Sequence, residues 1–168
     1  MASSDAVVQI IRIMPPGSSP ATPDIRAGGS TPAEGVMVWD FDADAIEYLD
    51  FLAKLQGYDG NGLTFTLPWS ASAATSGVCR WGIGIRAIPD DAEDIDVAHV
   101  YDYNDVNDTA PSASGEVSYP TIAFTDGVDM DSWAEGQLAI VRVRRNATHG
   151  DDTMTGDAEL WALFGLET

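Results

Sequence analysis

The chain has 168 residues, 45% of them hydrophobic, and sets 27 acidic against 8 basic residues for a formal charge of −19 at pH 7. A length of this order suits one domain that buries roughly 68–70% of its unfolded surface, so the core requires neither a metal nor a disulfide. The charge excludes nucleic acid and anionic membranes as direct partners, because binding either needs Lys or Arg to displace counterions, and no apolar run reaches the roughly 18 residues of a membrane helix.

The opening MASSDAVVQ has neither a basic start nor an apolar core, so no secretion signal is read there, and residues 1–6 read as a frayed end. Val7 to Ile13 is short, apolar and β-branched, a strand pattern. Pro15, Pro16, Pro20 and Pro23 follow, then Gly28-Gly29-Ser30-Thr31-Pro32, which no helix or central strand continues through. This pattern implies an extended N-terminal arm and linker over 1–35 ahead of a domain over 36–168. The arm's apolar residues Val7, Val8, Ile10, Ile11 and Ile13 are the candidate partner contacts. They can pair with the edge of their own domain or with a neighbouring subunit; the neighbour is favoured, since strand addition between chains is a common source of affinity. On this reading, removal of residues 1–23 leaves a folded domain.

Val36 to Phe41 reads as the first strand of the body. Ala45 to Leu55 fits both a helix and a strand, and Leu49, Phe51, Ala53 and Leu55 on one parity favour the strand. Tyr58-Asp59-Gly60-Asn61-Gly62 is a turn whose glycines tolerate positive φ. Leu63, Phe65, Leu67 and Trp69 share one parity, as do Trp81, Ile83 and Ile85, so two antiparallel strands joined by the polar stretch Ser70–Gly77 each supply a tryptophan to one core. Gly82 and Gly84 leave the opposite face of the second strand bare.

After the acidic tract Pro89 to Asp96, the shared parity of Val97, His99, Tyr101 and Tyr103 predicts a further strand. Another spans Gly115 to Phe124, with Pro120 at an edge or bulge, and Asp129 to Ala134 reads as a short helical turn capped by an aspartate. Leu138 to Arg145 and Ala158 to Phe164 close the chain, the last apolar on both parities. No long helix and regular turn signals point to an all-β protein, an eight-stranded antiparallel jelly-roll sandwich.

No catalytic residue, cofactor site or metal site is assigned. His99 and His149 lie near no nucleophile motif, and the lone Cys79 reads as a small strand residue rather than a reactive thiol. The aspartate-rich loops 90–94 and 102–107 attract calcium by composition but lack its spaced ligand pattern, so a solvated acidic loop is the preferred reading. Asn107-Asp108-Thr109 and Asn146-Ala147-Thr148 read as chance glycosylation triplets. Tyr101 and Tyr103 are the best candidates for a sugar-stacking platform, with packing as the competing role.

Two stretches, GNGLTFTLPWSASAATSGVCRWGIGIRAI and EGQLAIVRVRRNATHGDDTMTGDAELWALFGLE, are similar to jelly-roll virion proteins of tailed bacteriophages over about residues 36–168. The resemblance implies a homotrimeric attachment protein. Its first role would be a capsid decoration or cement protein on the outer surface of the virion head, bound to the major capsid protein. Tail-fibre or baseplate attachment comes second and a carbohydrate-binding jelly-roll module third. Trp133, Trp161 and Leu163 are the candidate subunit-interface residues. A projecting apolar arm favours the cement role, since such a protein must stitch neighbouring capsomers.

Overall fold

The computed structural model describes residues 7–168; the frayed end read for residues 1–6 lies outside them. In chain order the strands are β1 (Val7–Met14), β2 (Thr22–Ala27), β3 (Gly35–Phe41), β4 (Glu47–Gln56), β5 (Leu63–Thr66), β6 (Trp69–Ala71), β7 (Val78–Ile88), β8 (Tyr103–Thr109), β9 (Thr121–Phe124), β10 (Leu138–Arg145), β11 (Ala158–Leu160) and β12 (Phe164–Glu167). Two sheets result, one in the order β8-β7-β10-β4-β1-β12-β5-β9 and a smaller one in the order β2-β3-β11-β6. Every pairing of named strands is antiparallel. The chain is an all-β sandwich of the jelly-roll class, with twelve strands among the described residues, ten of them from β3 onward where the sequence pattern predicted eight in the body.

Period-two alternation builds the core. Leu49, Phe51, Ala53 and Leu55 of β4, Trp81, Ile83, Ile85 and Ala87 of β7, and Ala139, Val141 and Val143 of β10 turn inward together. They meet Phe41, Trp69, Ala71, Ala158 and Leu160 from the smaller sheet. Trp81 touches Phe41 edge-on at 5.0 Å between ring centroids and Trp69 at 5.8 Å, the offset geometry aromatic quadrupoles prefer. The two tryptophans thus share one core as the pattern implied. Their strands, however, do not pair: β7 lies between β8 and β10.

Two predicted strands are each cut in two, for one reason. Leu67 and Pro68 separate β5 in the larger sheet from β6 in the smaller, and residues 161–163 likewise separate β12 from β11. β5 pairs with β12 and β6 with β11, so the two segments change sheets side by side, tied at the crossing by Trp161 N–H donating to Pro68 O at 2.9 Å. The crossing resets the alternation. Leu160 and Leu163 therefore both reach the core, which is why the sequence there is apolar on both parities.

The N-terminal segment corrects the expected arm. β1 lies between β4 and β12, running in register from Val7 opposite Gln56 to Met14 opposite Asp50, with a bulge between Ile10 and Arg12. Val8 is 3% exposed and Ile10 packs on the core, while Ile11 and Ile13 remain exposed. β2 pairs along β3, and in the connection from β1 to β2 Ser19 O and Ala21 N–H bond the backbone of Tyr48. Residues 15–21 are thus the connection from one sheet to the other, not a tether. One backbone edge of β1 is taken by β4 of its own chain along the strand, and Val7 at its start also pairs with Leu166 of β12.

Smaller corrections follow the same logic. The strand predicted from Val97 begins only at Tyr103, because Arg86 Nη2 donates to the carbonyls of Asp94 (2.8 Å) and Val97 (3.0 Å) and folds residues 89–102 back as a loop. The strand predicted from Gly115 shortens to β9, an edge strand with Pro120 just before it. The turn at 128–130 is a 3-10 turn without a side-chain cap.

Candidate functional site

The side chains of β4, β7, β10 and β8 that point away from the core share one face of the larger sheet. Registers place Tyr48, Asp50, Leu52 and Lys54 on it from β4, Ile140, Arg142 and Arg144 from β10, and Arg80, Gly82, Gly84 and Arg86 from β7. Tyr103 and Asp105 of β8 lie opposite Gly84 and Gly82. The loop 89–102 adds Tyr101.

These residues interlock. Arg142 donates from Nε and Nη2 to the two carboxylate oxygens of Asp50, both at 2.7 Å, a planar two-point pair. The same guanidinium lies 4.4 Å from the ring centre of Tyr101 and 5.5 Å from that of Tyr48. Arg144 sits 3.7 Å over Tyr103 and donates to both oxygens of Asp105 at 3.1 Å. Arg80 reaches the same Asp105 at 3.3 Å and Asn107 at 2.8 Å. Such cation–π stacks fix ring and guanidinium orientation at once.

The glycines make room for this. A Cβ on Gly84 would lie 3.0 Å from Cβ and Cδ1 of Tyr101, and one on Gly82 would run into Asp105 and Arg144. The bare strip read from the sequence is thus the floor on which Tyr101 and the Asp105 pair rest. Burial pushes the Tyr103 phenol up to about 12 and raises that of Tyr101. Both phenols keep their proton at neutral pH and can donate as well as accept.

The sequence-predicted residues divide sharply. Tyr101 and Tyr103 are brought together, with ring centroids 6.0 Å apart. Trp133 and Leu163, proposed for a subunit interface, are instead core residues, 1% and 5% exposed; the indole Nε1–H of Trp133 donates to Gln137 O at 2.9 Å. Trp161 is half-buried, its indole Nε1–H donating to Ser70 Oγ at 2.9 Å. Of the arm residues, Val7, Val8, Ile10, Ile11 and Ile13 all lie in β1, within the larger sheet. Cys79 is buried, and burial raises its thiol well above the usual range.

His99 packs edge-on against Tyr101 at 4.9 Å, 3.9 Å from Asp131, whereas His149 stays in its exposed loop. Among the described residues no group of three or more His, Cys, Asp or Glu is placed to hold a metal ion. One carboxylate in each of the two acidic stretches is held by arginine. Glu93 pairs with Arg86 at 2.6 Å, and Asp105 with Arg80 and Arg144.

Tyr48, Asp50, Arg142 and Arg144 are the members sequence reasoning missed. Alternation within Arg142-Val143-Arg144 sends both arginines outward, but only the strand register puts them against tyrosines from other strands.

No family model matches the chain, and no curated protein matches its sequence. Among solved structures it is similar to TmCBM61 in complex with β-1,4-galactotriose, with 10% identity, a TM-score of 0.40 and coverage of 94% of this chain and 88% of that one. It is also similar to a family 11 carbohydrate-binding module from Clostridium thermocellum in complex with a β-1,3-1,4-mixed-linked tetrasaccharide, with 11% identity, a TM-score of 0.44 and coverage of 97% and 96%.

Proposed function

We propose that the chain is a non-catalytic glycan-binding module whose ligand lies on the outer face of the larger sheet. One observation carries this reading: three half-buried tyrosines, Tyr48, Tyr101 and Tyr103, held by Arg142 and Arg144 beside Asp50 and Asp105. A pyranose offers an apolar C–H face ringed by hydroxyls. It is recognised by aromatic rings for the face together with fixed charged groups and phenols that exchange hydrogen bonds with the hydroxyls. The ion pairs and stacks supply that set already oriented, so little side-chain entropy is lost on binding.

The capsid-cement role was favoured by a projecting arm. With β1 inside its own sheet that support is gone.

A glycan array, followed by calorimetry on the best oligosaccharide, tests the proposal. The intact chain is expected to show selective signals, and Tyr101→Ala and Tyr103→Ala to weaken binding with the fold retained. Absence of any selective signal, or folded tyrosine variants that bind as well as the parent, overturns it.

A further inference from the structure

Resting on the glycan-binding reading, we infer that this face selects acidic oligosaccharides, those bearing uronate carboxylates, through Arg12 and Lys54. The chain carries eight basic residues in a net charge of −19. Six of the eight, Arg12, Lys54, Arg80, Arg86, Arg142 and Arg144, occupy outward positions of β1, β4, β7 and β10. Among the described residues Asp50 is the only carboxylate at an outward position of those four strands. Asp105, Asp151 and Glu93 approach from β8 and from loops. An anionic ligand is thus repelled by most of the surface and admitted here.

Within the six, two are set apart. Arg80, Arg86, Arg142 and Arg144 each have a carboxylate partner. Arg12 and Lys54 form no ion pair among the described residues. Arg12 lies opposite Leu52, and Lys54 two positions further along β4 faces Gln9 and Leu138. The outward line Tyr48, Asp50, Leu52, Lys54 extends about 20 Å at ~3.3 Å per residue. That length suits a run of several sugar rings rather than one. A chain stacked at the Tyr48–Arg142–Tyr101 end passes over Leu52 and Ile140 and brings its next carboxylates to the two unpaired cations.

The decisive experiment is calorimetry of the intact chain with tetragalacturonate and with its carboxyl-reduced counterpart, which differs only in bearing hydroxymethyl groups. Each exposed charge contact is worth about threefold in affinity, so the acidic oligomer should bind about tenfold tighter. The preference should shrink as salt is raised. Arg12→Ala with Lys54→Ala should erase the preference while the neutral oligomer is still bound, whereas Tyr101→Ala should weaken both. Equal binding of the two oligomers, or a preference that survives the double variant, overturns the acidic selectivity and leaves glycan binding standing. Failure of both oligomers to bind overturns the selectivity and the reading beneath it.

Discussion

The guanidinium of Arg145 and the carboxylate of Asp152 meet at two points, Nη2 to Oδ1 at 2.9 Å and Nε to Oδ2 at 3.1 Å, with neither side chain more than 1% exposed. Burial works against the arginine's charge, yet the bonds to Asp152 hold its pKa above the ordinary value. Its other N–H groups donate to the carbonyls of Met154 (2.7 Å), Gly156 (2.8 Å) and Phe41 (3.3 Å), and Asp152 also accepts from Arg80 N–H. One side chain thereby clamps the loop 146–157 onto both sheets.

Removing one partner strands the other charge in a dry site. Arg145→Met and Asp152→Asn should each lower unfolding free energy by about 3–5 kcal/mol, the usual cost of breaking a buried pair. Urea denaturation measures this. Variants with the parent's midpoint would show that the clamp contributes nothing to stability.

Truncation separates a tether from a strand. Deleting residues 1–14 removes β1, whose backbone bonds β4 and, at Val7, β12, and whose Val8 lies against Gly165. The truncated chain should lose cooperative unfolding and expose apolar surface to dye. A cooperative melt with the parent's near-ultraviolet signal would restore the separate-arm description.

How far the sequence could be read depended on whether a signal was local. Alternation placed Leu49, Phe51, Val141 and Ile83 inward correctly, because period two acts within each strand whatever its neighbours are. Alternation could not tell which strands pair. β7 therefore took β8 and β10 rather than the segment before it, and β1 found its partner in β4 of the same chain. The apolar ends near Leu160 and Leu163 resembled an interface because a change of sheet and an exposed second face leave the same pattern. The site depended most on register: Arg142 meets Asp50 only because β10 and β4 align there.

Asp40 makes stability depend on pH. Its carboxyl is pushed up to about 6, first by burial and then by Asp157, Glu159, Asp24 and Glu47. A carboxylate raised in the folded state binds its proton there while the unfolded chain, near 3.8, has already released it. This group's contribution to stability therefore falls as pH rises from about 4 to about 6 and stays low above that. Asp40→Asn should be the more stable form at neutral pH, and its advantage should vanish at the acid end of that window. Denaturation across the window checks the sign; an advantage that grows on acidification would contradict it.

The glycine floor offers a way to disturb the candidate site without touching a polar group. A Cβ at position 84 would come within 3.0 Å of Tyr101 Cβ and Cδ1 and 3.2 Å of Asp102 O, closer than packed carbons ordinarily approach. Tyr101 sits on a loop, so the ring can move away and the sheet beneath need not. Gly84→Ala should keep the parent's thermal transition within a few degrees, because an alanine suits a strand better than a glycine does. The ring is then shifted on Arg142 and no longer held in its binding position, and glycan affinity should fall, by up to about tenfold, equivalent to ~1.4 kcal/mol. Calorimetry beside a thermal melt reads both quantities on one preparation. An unchanged affinity would detach Tyr101 from binding, while a collapsed melt would make this floor a stability feature instead.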